Sequence, residues 1–135
     1  MTEARVEDVY ADRLGAKVYL EQAEAFLADA AVAGLGAASQ AVLVHNAAIS
    51  ACDAILQAVG LRVTPGDGAH VKRLETALEQ IDEDTYELLE RLDASRERRN
   101  EASYAAAFVP EASLEDAREA TAELLELARR VVDDK

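Results

Sequence analysis

Apolar residues recur along this chain at intervals of three and four, the spacing that gathers them on one face of an α-helix. Val9, Ala16, Leu20, Ala23, Leu27 and Ala30 predict a first helix beginning at Val9, with Arg13 on the same stripe and Tyr19 and Phe26 widening it. Gly15 falls inside that helix and weakens its middle, and Gly34 and Gly36 end it. A second helix, from about Ala37 to Val59, carries two apolar stripes: Val44, Ala48, Ala51, Ile55, Val59 and, beside it, His45, Ile49, Cys52, Leu56. A helix apolar on two faces packs against more than one neighbour, so this one is expected at the centre. Asn46, Ser50, Asp53 and Gln57 form a narrow polar seam along it, which either faces water or lines a pocket. Gly60 supplies its stop.

Met1–Glu7 is polar and reads as a frayed start, and Leu61–Ala69, with Thr64-Pro65-Gly66-Asp67-Gly68, reads as a turn-rich connection. Val71, Leu74, Leu78 and Ile81 predict a short helix over His70–Ile81. Asp82-Glu83-Asp84 suits the start of the next, Glu83–Tyr104, because the exposed amides of a helix start favour negative charge. After Phe108, Val109 and Pro110, Ser113 with Asp116 has the geometry of a capping box. Leu114, Ala117, Thr121, Leu124, Ala128 and Val131 then mark the last helix. Strand-like alternation is nowhere sustained. The expected fold is all-α: an up-and-down antiparallel four-helix bundle with an additional short helix, as a single domain over 1–135.

Composition sharpens this picture in three places. Half of the residues are apolar, with six glycines and two prolines in 135 residues, which excludes a disordered chain and favours closely packed helices. The formal charge of -13 opposes non-specific binding to nucleic acid or anionic membrane over the whole surface, though not through a local basic groove. One cysteine, no uninterrupted run of eighteen apolar residues and no basic-then-apolar start lead to the expectation of a cytoplasmic protein without a membrane span.

The candidate chemistry lies at Arg96–Phe108. Leu88, Leu92, Ser95, Arg99 and Ala102 follow helical spacing, which puts Arg99 on the face that should be apolar. A guanidinium cannot neutralise itself by losing a proton, so there it needs a carboxylate, carbonyls or a bound anion. One reading has Arg98 and Arg99 solvated or paired to a carboxylate such as Asp53. The other has at least one of them binding phosphate in a groove, with Arg91 and Arg96 nearby, Asn100 orienting the group and Tyr104 offering a hydroxyl. Glu101 shares a helical face with Tyr104. His45 reads either as a core histidine or as a general base, since imidazole changes charge near neutrality. His70, after the loop, reads as a surface residue and Cys52 as a buried inert thiol. No metal-binding spacing is present, and no cofactor is expected.

Three stretches resemble the HEPN domain, a family of small helical bundles: Val42–Ile55 its central helix, Pro65–Leu78 its loop and short helix, and Arg98–Tyr104 with Ser113–Val132 its signature helix end and closing helix. The likeness covers nearly the whole chain and is closest to small actinobacterial-type members. Many HEPN proteins are metal-independent ribonucleases, including toxins of toxin–antitoxin pairs, and commonly act as dimers. Their motif is an arginine, four to six residues, then a histidine, with a polar residue often directly after the arginine, so that counting from Arg98 or Arg99 places the histidine between Ser103 and Ala106. Here the arginine would be Arg99 and the polar residue Asn100, but none of Ser103, Tyr104, Ala105 and Ala106 is histidine. Tyrosine, with a reference pKa of about 10, is a poor base at neutral pH, so His45 would have to substitute.

The resemblance therefore implies a homodimeric module that binds RNA, nucleotide phosphate or a protein partner through an arginine-containing groove near its two-fold axis, without full ribonuclease activity. An active ribonuclease, with Arg99, His45 and Tyr104 as its catalytic group, is the alternative, possibly paired with an antitoxin-like protein. An acidic interaction module with no nucleic-acid role is the third.

Overall fold

The computed structural model describes residues 2–105 and 110–134, for 96–105 the backbone alone. In chain order the elements are β1 (Val6–Asp8), α1 (Arg13–Ala30), α2 (Ala37–Val59), β2 (Leu61–Val63), α3 (Ala69–Glu79), α4 (Tyr86–Ala105) and α5 (Glu111–Asp133). The protein is all-α, with five helices and one small two-stranded sheet among the described residues.

α2 packs against α1, α3, α4 and α5. Both stripes read from its sequence are used: Val44, Ala51 and Ile55 are buried, and so are Cys52 and Leu56 on the adjoining face. Its alanines let the neighbours come close, and Leu20, Leu78, Leu88 and Leu124 from the other four helices close over Ile55 in one core. Burying a side chain of the size of Ile55 or Leu124 contributes about 1.5–3 kcal/mol. A smaller cluster of Ala30, Ala41, Val44, Leu114 and Ala117 continues the packing toward the start of α2. By length and composition α2 could also cross a membrane, since an 18-residue window averages a hydropathy of 1.5; 61% of that window is buried here by the protein itself. Scattered polar residues hide this from a search for uninterrupted apolar runs.

The N-terminus departs from expectation. Residues around Glu7 are not frayed: β1 pairs antiparallel with β2, Val6 opposite Val63 and Asp8 opposite Leu61. Thr64 locks the ladder, its hydroxyl accepting from the Arg5 amide (2.9 Å) and its own amide donating to the Arg5 carbonyl (2.8 Å). Thr2 adds a further tie by accepting from the Asp67 amide at 3.1 Å. The supposed connection thus contains a strand. Each strand has three residues, too few to show an alternating pattern, and their pairing joins segments far apart in sequence.

α1 starts at Arg13, four residues later than the spacing predicts, because Val9 is held against the end of α2, its amide donating to the Gly60 carbonyl (2.9 Å). Gly60, with φ at +79°, ends α2 in the left-handed region, and a Cβ there would stand 2.7 Å from the Val9 carbonyl oxygen. Asp12 caps α1 by accepting from the Gly15 amide at 2.8 Å. Gly15 therefore lies in the first turn, not the middle, and its missing side chain leaves room for the Asp12 carboxylate. Arg13 is exposed, not part of the inward stripe.

Elsewhere the corrections are smaller. α3 ends at Glu79, with Ile81 beyond it yet packed on the core. α4 opens at Tyr86, and the acidic group does serve its start: the Asp84 carboxylate accepts from the Tyr86 amide at 3.0 Å. α5 opens at Glu111 after Pro110 with no side-chain cap, so Ser113 and Asp116 form no capping box.

Candidate functional site

The arginine-rich helix is built as its spacing requires as far as Ser95. Leu88, Leu92 and Ser95 are buried on one face, and the α4 backbone continues helical to Ala105. The side chains of Arg96, Arg98, Arg99, Asn100, Glu101 and Tyr104 lie outside the described residues. Arg91, earlier on the same helix, is paired with carboxylates. α5 sets Asp116, Glu119 and Glu123 along α4, and the Arg91 guanidinium meets their carboxylates at 2.9, 3.8 and 3.3 Å. Sequence reasoning groups Arg91 with the later arginines because they share a helix, whereas its charge is satisfied by another one.

The polar seam of α2 divides between two neighbours. Ser50 turns to α1, where its hydroxyl donates to the Gln22 side-chain oxygen at 3.2 Å. Asp53 turns to α3 and pairs with Arg73 at 3.2 Å, so its cation partner comes from the short helix. Burial raises the Asp53 carboxyl above the ordinary aspartate range, and the Arg73 guanidinium opposes that shift. Asn46 is half-buried. Cys52, beside the seam, is fully enclosed, and burial with the neighbouring Asp53 charge pushes its thiol up to about 12. A thiol held that firmly protonated is no nucleophile.

An open cleft of about 570 Å³ lies over this pair, where the approach to α1, the end of α2, β2 and α3 meet. Tyr19, Asp53, Gln57 and Arg73 give it hydrogen-bonding groups, while Val9 and Leu61 give it apolar wall. These groups suit the cleft to binding a small polar molecule.

His45 is buried on α2 and meets His70 of α3 edge to face, ring centroids 6.1 Å apart. His70 is exposed as expected, but its contact with His45 is not visible in sequence: twenty-five positions separate them, and only the return of the chain through β2 brings α3 alongside. Among the described residues, no three histidine, cysteine or acidic side chains gather as a metal-ligand set. No protein-family model, curated protein or solved structure matches this chain.

Proposed function

We propose that the chain is a cytoplasmic, homodimeric HEPN-like module that binds the phosphates of single-stranded RNA or a nucleotide through Arg98, Arg99, Asn100 and Tyr104, without cleaving the strand. In this reading α1, α2, α4 and α5 form an up-and-down four-helix bundle and α3 is the additional short helix. The observation that supports it is the register of α4. A buried stripe of Leu88, Leu92 and Ser95 leads into an unbroken helix, so Arg99 follows Ser95 by about one turn. The planar guanidinium forks of Arg98 and Arg99 suit a tetrahedral anion.

Fluorescence anisotropy of a labelled, mixed-sequence single-stranded RNA, with chelator present, tests this. Arg99→Ala should weaken binding roughly tenfold and lower the slope of log K against log salt by about 0.7 for each phosphate it no longer neutralises. Equal binding by the variant, or none by the wild type, would sink the proposal. A ribonuclease is the second reading, favoured by one contact: His45 and His70, the two histidines of the chain, meet and could divide base and acid roles. Shortening of the RNA in the same samples, abolished by His70→Asn, would select it.

A further inference from the structure

α1 buries Ala16, Leu20, Ala23 and Ala30 inward, yet its outward face is apolar too. Leu14 is 76% exposed, Val18 64%, and Val32, in the turn after the helix, 57%. Ala25 and Ala28 lie between them and are also exposed. Leu14, Val18, Ala25 and Ala28 share one side of the helix by their spacing, interrupted only by Glu21, and Val32 follows in the turn. Of the seven large apolar side chains exposed among the described residues, Leu14, Val18 and Val32 lie along α1 and the turn after it.

We infer that this face of α1 is a self-association surface, occupied by the α1 of a second copy of the chain running antiparallel to it. Two asymmetries of the helix select that occupant and that direction. The first is charge: Arg13 and Lys17 flank the beginning of the stripe, and Glu21 and Asp29 its later part, while Glu24 is held by Arg129 of α5. Antiparallel copies bring the basic part of each to the acidic part of the other, while parallel copies would stack like on like. The second is size: the bulky Leu14 and Val18 stand toward one end and the small Ala25 and Ala28 toward the other. With the pair centred on Ala23, Leu14 comes level with Val32, Val18 with Ala28 and Lys17 with Asp29 of the second copy. Val18 then meets the small Ala28, and Leu14 meets Val32 at the two ends of the contact.

The helix is about 27 Å long, so the contact falls at the low end of specific interfaces. This inference rests on the homodimer in the reading above but not on phosphate binding, and it assigns the interface to α1 instead of the arginine end of α4.

Analytical ultracentrifugation of the full chain across micromolar to millimolar concentration tests it. The wild type should dimerise, and Val18→Glu should remain monomeric with an unchanged circular dichroism spectrum. Lys17→Glu should weaken association roughly tenfold, and adding Asp29→Lys should restore it. A wild type monomeric throughout would overturn the inference and leave the stripe to a different protein. Association that survives Val18→Glu would overturn it in favour of another surface, and failure of the double exchange would overturn the antiparallel arrangement. RNA binding by monomeric Val18→Glu, weakened by Arg99→Ala as in the wild type, separates failure here from failure of the phosphate reading.

Discussion

Thr121 offers the most direct test of how α5 is seated. It is 0% exposed on the inward stripe of that helix, and its hydroxyl finds no hydrogen-bond partner among the described residues. A hydroxyl taken from water without a replacement bond costs about 1–3 kcal/mol by protein mutational measures. Valine has nearly the same shape, a methyl in place of the hydroxyl, and a similar helix propensity. Thr121→Val should therefore stabilise the protein by about 1–2 kcal/mol, raising Tm by about 3–8 °C for a chain of this size. Thr121→Ser is the control: it keeps the hydroxyl, deletes a buried methyl and should destabilise by about 1 kcal/mol. Urea titration followed by circular dichroism, with equal m-values, gives the difference free of changes in cooperativity. Loss of stability in the valine variant with none in the serine variant would mean that the hydroxyl is bonded and that α5 is rotated from the seating described.

Two further outcomes follow from the α2 surroundings. Because burial raises the Asp53 carboxyl, the folded state favours its protonated form. That contribution is fully present below the unfolded aspartate value, near 3.9, and is lost as pH rises through the higher folded value. Asp53→Asn should accordingly gain stability relative to wild type as pH climbs from about 4, and a difference that stays constant with pH would contradict the burial argument. Gly60→Ala should destabilise by about 2–4 kcal/mol, combining left-handed strain with a Cβ 2.7 Å from the Val9 carbonyl oxygen. An unchanged urea midpoint would show that the stretch before α1 is not held against α2.

The site was less legible than the fold, for a physical reason. Helical spacing states which residues share a face of one element, and so it put Leu88, Leu92 and Ser95 inward. It does not state what another helix brings to the opposite face. Arg91 read as part of a basic cluster until α5 supplied three carboxylates, and Asp53 read as a partner for the late arginines until α3 supplied Arg73. His45 and His70 gave no sign of meeting. The exposed stripe of α1 was masked differently: a helix apolar on two sides was interpreted through its inward side alone.

Periodicity and the small residues of α2 by themselves determined the helices and the central place of α2, because both are written in local spacing and side-chain volume. Gly60 stopped α2 by its backbone freedom, again a local property. Only the tertiary structure decided that residues before α1 form a strand, that α1 begins at Arg13, and which charges neutralise one another. Those outcomes depend on hydrogen bonds and ion pairs between segments distant in sequence, whose energies come into being only when the chain brings them within reach.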